Sequence, residues 1–160
     1  MDIAYALKEW RETRGLTCQM QQAGYRNNTK EELLEAYDST TDIEVIDAIC
    51  DIAILTLNCI EDYKIEDLIH PVRFSDILII SGDIDSVLEA NFGIRWISIL
   101  LSTLNHYINE MGYDFIKCLE ETIKEISSRK GEYDPNTKKW VKKITGNEYK
   151  ADYTKCKKEE

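Results

Sequence analysis

Residues 29–58, TKEELLEAYDSTTDIEVIDAICDIAILTLN, decide the fold. They read as two helices joined by a short polar turn, Asp38-Ser39-Thr40-Thr41. In the second helix Ile43, Ile46, Ile49, Ile52, Ala53, Leu55 and Leu57 cover most sides. A helix apolar nearly all round is a buried one. Glu44, Asp47, Asp51 and Asn58 interrupt that cover at offsets of three, seven and fourteen residues. At about 100° per residue these four share one face. In the first helix Glu31 and Glu32 both neighbour Glu35, at i, i+4 and i, i+3. A turn this short makes the helices antiparallel neighbours. Folding about residue 40 sets Glu35 level with Glu44 and Asp47, and Glu32 level with Asp47 and Asp51.

Carboxylates converging in one small volume cannot all ionise unaided. Raised proton affinities or a divalent cation would relieve them. Carboxylates from facing helices suit hard cations such as Mg²⁺ or Mn²⁺, and Mg²⁺ is usually completed by water and substrate phosphates. The spacing alone therefore points to a nucleotide site. A simpler explanation competes for two of the acids. Thr29-x-x-Glu32 and Thr41-x-x-Glu44 both have the form of a capping box. Asp47, Asp51 and Asn58 lie too far into an apolar helix to be caps.

The composition narrows the class. Of 160 residues, 43% are hydrophobic and 31% charged, so one soluble domain with a real core is expected. Seven Gly, two Pro and little strand-type alternation favour an all-α fold. The net charge of −10 argues against direct nucleic-acid binding. Its distribution is uneven, with 10 basic and 24 acidic side chains in residues 1–128, against 10 basic and 4 acidic in 129–158. The basic arm could reach phosphates that the acidic body repels. Five cysteines without a CxxC read as small core residues in a reducing compartment, and two distant histidines support neither a zinc site nor a catalytic triad. No signal peptide and no membrane-length apolar run are visible, so a cytoplasmic location is expected.

Along the chain, an amphipathic helix is expected over 2–13, and a short one over 17–23 ended by Gly24. The acidic hairpin follows, its second helix running on to about Tyr63. Residues 64–69 suggest a helical turn, 74–80 either helix or strand, Ser81-Gly82-Asp83 a break, and 84–90 a short helix. IRWISILLSTLNHYINEM (94–111) is a strong helix with a broad apolar face suited to a core or a self-association surface. His106 on it reads as structural. Asp114 opens the last helix, to about Ser128, with Glu121 and Glu125 sharing a face at i, i+4 and expected as an exposed pair, the alternative being that Glu125 adds to the acidic cluster. Beyond it Asp134-Pro135-Asn136-Thr137 is a turn signal, with a small β-hairpin expected around it.

Glu31-Glu32-Leu33-Leu34-Glu35 resembles the EExxE motif of the all-α NTP pyrophosphohydrolases, the MazG-like superfamily, and Glu44-Val45-Ile46-Asp47 resembles the ExxD that follows it. Asp47-Ala48-Ile49-Cys50-Asp51-Ile52 is similar to the second motif of small phage-type members, with Ala48 in place of the expected Glu. The basic arm resembles theirs as well. The resemblance covers roughly residues 25–62 and 112–155. It implies a helical bundle around the acidic hairpin, with residues 1–128 as the pyrophosphohydrolase-like domain and 129–160 as the arm. It also implies a homodimer or homotetramer, and Mg²⁺-dependent cleavage of a nucleoside triphosphate to monophosphate and pyrophosphate.

Carried over, Glu32 and Glu35 are metal ligands from the first helix. The second helix supplies either Glu44 and Asp47 or Asp47 and Asp51. Glu31 or Glu35 would serve as the base. Ser128, Arg129 and Lys130 would contact phosphate, with Lys139, Lys142 and Lys143 as further candidates. Asn58 would contact phosphate or base. Trp10 lies where the family places residues near the base, or else belongs to the core. Two alternatives stand beside this reading. One is a non-catalytic nucleotide- or protein-binding regulator, such as a phage-encoded antagonist, that keeps the fold. The other is a metal-dependent phosphohydrolase acting on a signalling nucleotide or phosphoribosyl-ATP.

Overall fold

A computed structural model describes residues 1–159. The described chain is mainly α: α1 (Ile3–Thr13), α2 (Cys18–Asp38), α3 (Asp42–Leu57), α4 (Ile65–Leu68), α5 (Ile77–Glu89), α6 (Ile94–Glu110) and α7 (Phe115–Ser128). Two short strands, β1 (Lys130–Asp134) and β2 (Lys139–Lys143), and a 3₁₀ turn at Tyr153–Cys156 complete it. Asp2, Thr17, Thr41, Asp76 and Asp114 each accept a backbone N–H at the start of their helix. Such a cap satisfies an orphan donor and contributes about 1 kcal/mol.

α3 is the central element. Ile46, Ile49, Ile52, Ala53 and Leu57 are fully buried, and α3 packs on α2, α6 and α7. α2 runs antiparallel to it across the short Ser39-Thr40-Thr41 link. The Tyr25 hydroxyl near the start of α2 meets Thr56 Oγ1 near the end of α3 at 2.8 Å. α6 buries Ile97, Leu100, Leu101, Leu104 and Ile108, and α7 buries Phe115, Leu119 and Ile123. No helix is long and apolar enough to cross a membrane among the described residues.

Several boundaries differ from the expectation, each for a physical reason. Gly24 does not end a helix, because α2 runs unbroken from Cys18 to Asp38. A β-carbon at Gly24 would sit 2.2 Å from the Lys138 carbonyl oxygen. The glycine is there to let the β-hairpin lie against the helix. α3 stops at Leu57 rather than near Tyr63. Its end is pinned where Arg11 donates to Asn58 Oδ1 (2.9 Å) and Gln22 donates to the Cys59 carbonyl (2.9 Å). Ser81-Gly82-Asp83 is not a break but the middle of α5. Ile80, Ile84 and Val87 bury one side of that helix, and Thr103 on α6 donates to Asp83 Oδ2 (2.7 Å).

The hairpin is antiparallel, with Asp134 opposite Lys139. Asp134 closes its loop by accepting the Asn136 and Lys138 amides, and Lys138 takes the left-handed conformation at φ 57°. The remaining arm runs back along α7. Tyr149 N–H donates to Ser128 Oγ (2.8 Å), Ala151 N–H to Glu125 Oε2 (2.7 Å) and Asp152 N–H to Glu121 Oε1 (3.0 Å). Glu121 and Glu125 are therefore not an exposed pair. Glu121 is 4% exposed, and both carboxylates anchor the arm.

Candidate functional site

α2 supplies one wall of a cleft of ≈ 1230 Å³ and the hairpin supplies the opposite wall. Glu31, Glu32 and Glu35 of α2, with Asp47 and Asp51 of α3, form the acidic side. Arg129, Lys138, Lys139 and Lys142 form the basic side. The two walls touch where Lys139 Nζ pairs with Glu31 Oε2 at 2.7 Å, both side chains about half exposed. A smaller pocket of ≈ 140 Å³ adjoins the cleft, lined by Trp10, Asn28, Ile54, Leu55, Asn58 and Trp140 among others. A groove of ≈ 560 Å³ at the start of α1, between Asp2 and Glu66, lies apart from the acidic motif.

The acidic wall is electrostatically crowded. Burial, reinforced by the charges of Asp51, Glu35 and Asp47, pushes the Glu32 carboxyl up to about 9. Burial and the Asp47 charge push Asp51 up to about 8, with Arg129 pulling the other way. Burial raises Asp47 as well, against the hydrogen bond from Tyr153. Glu32 Oε2 is buried without a hydrogen-bond partner among the described residues. A buried carboxylate oxygen left unpaired costs about 1–3 kcal/mol or more, and a cation or a proton removes that cost.

The five candidate metal ligands differ in placement. Glu32, Asp47 and Asp51 are partly buried on the same wall, and Glu35 stands exposed beside them. Glu44 is exposed and acts as a cap. Its backbone N–H donates to Thr41 Oγ1 (3.3 Å), and its carboxylate accepts the Thr40 amide (3.0 Å). It still lines a shallow surface pocket with Glu35 and Asp47. Thr29, by contrast, lies inside α2 and donates to the Tyr25 carbonyl (2.7 Å), so Glu32 is no capping residue. Among the described residues no three His, Cys, Asp or Glu are gathered into a group that could by itself hold a metal. The unpaired Glu32 oxygen and the all-oxygen donor set are what a hard cation would use, with water and phosphate completing its shell.

The residues expected to touch substrate divide in the same way. Arg129, the residue after α7, lines both the cleft and the pocket and pairs with Glu125. Trp10 is buried, donates its indole N–H to the Ile126 carbonyl (3.2 Å) and lines the pocket. Asn58 also lines it, but its side-chain oxygen is held by Arg11. Ser128 is used structurally, donating to the Glu125 carbonyl (2.7 Å) and accepting from Tyr149. Neither Ser128 nor Lys130 lines the cleft.

Three contributors carried little signal in the sequence. Arg14 stacks over Trp10 (4.9 Å to the ring centre) and Trp140 (5.3 Å), and donates to the Arg129 carbonyl (3.0 Å). It ties α1, the end of α7 and the hairpin together. Tyr153 donates to Asp47 Oδ1 (2.8 Å) across 106 residues of sequence. Asn28 sits one turn before Glu32 and could have been found by extending the acidic face backwards.

In comparisons with known proteins, no family model, no curated protein and no solved structure matches the chain, so the site is read from its own residues.

Proposed function

We propose that the protein is a divalent-cation-dependent nucleoside triphosphate pyrophosphohydrolase of the all-α MazG-like type, converting (d)NTP to (d)NMP and pyrophosphate. One observation carries this reading: a single cleft sets a crowded carboxylate wall against a lysine- and arginine-bearing wall. Carboxylates alone would repel a triphosphate, and lysines alone would bind one without activating water. Glu32, Asp47 and Asp51, with Glu35 at the rim, would hold Mg²⁺ or Mn²⁺. When bound, the cation neutralises polyphosphate oxygens and makes its water more acidic.

The chain's own groups supply the rest. Arg129, Lys138, Lys139 and Lys142 would draw the polyphosphate to the basic wall and offset charge on the departing pyrophosphate. Water attacks phosphorus in line, its oxygen forms the new P–O bond, and the bond to the bridging oxygen breaks. Glu35, exposed on the wall, is suited to take the water's proton. Glu31, the other candidate base, is occupied by Lys139. The ≈ 140 Å³ pocket with Trp10 and Trp140 is the natural seat for the base.

A helical-bundle core, a dimer or tetramer and a cytoplasmic setting belong to the same reading. Exposed Phe74 (77%), Leu78 (82%) and Trp96 (39%) support self-association. One observation favours the second reading, a nucleotide- or protein-binding regulator without turnover: the absence of a ready-made three-ligand group among the described residues.

The test is a product-resolved hydrolysis panel of the common NTPs and dNTPs with Mg²⁺ or Mn²⁺, run beside Asp47→Ala. Monophosphate and pyrophosphate from the parent, lost in Asp47→Ala, is the expected result. Monophosphate at equal rates from both proteins would remove the site assignment. Cation-dependent stabilisation without product would favour the regulator.

A further inference from the structure

The Asp47 carboxylate is held by a residue from the far end of the chain. Tyr153 donates to Asp47 Oδ1 at 2.8 Å, and its hydroxyl lies 2.9 Å from Thr122 Oγ1 on α7. An ionised carboxylate only accepts, so in that state the phenol's single proton goes to Asp47, while Thr122 Oγ1 also donates to the Cys118 carbonyl (2.9 Å) on α7. The contact thus has a direction, from Tyr153 to Asp47. The ring itself is enclosed: Tyr153 is 3% exposed and opens the 3₁₀ turn that ends in buried Cys156. The arm is fixed on both sides of it. Asp152 N–H bonds to Glu121, Asp114 N–H donates to the Cys156 carbonyl (2.8 Å), and Lys158 N–H donates to the Gly112 carbonyl (2.9 Å).

Resting on the cation-site reading above, we propose that Tyr153 is a positioning residue: it fixes one oxygen of Asp47 and so presents the other to the cation. The C-terminal arm is then part of the site rather than an appendage. Among the described residues nothing else from the arm bonds to Asp47, whereas Tyr149, a second arm tyrosine, bonds to Glu121 at 2.6 Å.

The test is Mn²⁺ titration by calorimetry, with the Mn²⁺ electron-spin-resonance spectrum as a second readout. The parent is compared with Tyr153→Phe, Tyr149→Phe and Asp47→Asn, each checked for cooperative unfolding. Tyr153→Phe keeps the ring and removes only the hydroxyl. Partners that orient a metal ligand typically contribute about 10- to 100-fold in affinity. The expected result is a loss of about that size in Tyr153→Phe with a changed spectrum, and affinity within about 2-fold of the parent in Tyr149→Phe. If Asp47→Asn loses Mn²⁺ while Tyr153→Phe binds it as the parent does, the positioning role is overturned and the cation site stands. If Tyr149→Phe weakens binding equally, the effect is arm docking and the role is again overturned. If the parent binds no Mn²⁺, the cation site falls and takes the role with it.

Discussion

Asp51→Asn should make the metal-free protein more stable while abolishing its response to Mg²⁺. Asp51 has its carboxyl raised from 3.8 to about 8 by burial and by Asp47. At pH 7 the unfolded chain ionises this residue and the folded chain keeps it protonated, a gap of roughly three pH units. That gap corresponds to at most about 4 kcal/mol of destabilisation relative to a neutral isostere. Half of it would raise Tm by about 4–8 °C in a chain of this size. The parent recovers stability by binding the cation, about 2.7 kcal/mol at one hundred times Kd. The assay is thermal and urea unfolding of both proteins at pH 7, in EDTA and in Mg²⁺. The crossed outcome is the signature: the variant ahead in EDTA, the parent gaining on it in Mg²⁺. A variant that unfolds below the parent in EDTA would refute the reasoning, because Asp51 would then be a net stabilising partner of Arg129. Equal Mg²⁺ stabilisation of both would place the cation elsewhere.

Three further outcomes are expected. Glu32 (about 9) and Asp51 (about 8) are raised above their unfolded values. Their contribution is complete below about pH 4 and is lost progressively as pH rises from there through their folded values, so urea midpoints in EDTA should fall from about pH 4 to about pH 9 and level off above, and Mg²⁺ should flatten the fall. Burial would raise Glu121, but the Tyr149 hydroxyl, Lys124 and the Asp152 amide bring it down to about 2. Its stabilisation is present above about pH 4 and lost as pH falls through 2, and Glu121→Gln should remove that acid-side step in an acid titration followed by Tyr fluorescence. Gly24→Ala gains about 1 kcal/mol of helix propensity but drives a methyl into the Lys138 carbonyl, 2.2 Å away. It should lift the hairpin, change Trp140 fluorescence and weaken nucleotide binding while α2 stays helical by circular dichroism; an unchanged Trp signal would show that the hairpin does not depend on that approach.

Much of the helical architecture was legible because it is local. The apolar cover of α3, the Thr41 cap, the turn at 38–41 and the Asp134-Pro135-Asn136 signal are all set by neighbours within a few residues. Boundaries were misread where a distant partner decided them. Gly24 looks like a terminator until Lys138 is placed against it, and Gly82 looks like a break until Ile80, Ile84 and Val87 find α6. Glu121 and Glu125 have the spacing of a solvated pair, and only the returning arm gives them buried work.

The candidate site divides along the same line. Sequence periodicity by itself determined that Glu32, Asp47 and Asp51 lie on facing helical stripes, since 3.6 residues per turn fixes which side chains share a face. It could not determine which carboxylates are crowded out of water, or that Lys138, Lys139 and Lys142 stand across the cleft. Those depend on burial and on contacts between residues about one hundred positions apart, such as Lys139 with Glu31 and Tyr153 with Asp47. Such pairings leave no period in the chain, because they are made by tertiary packing and by nothing local.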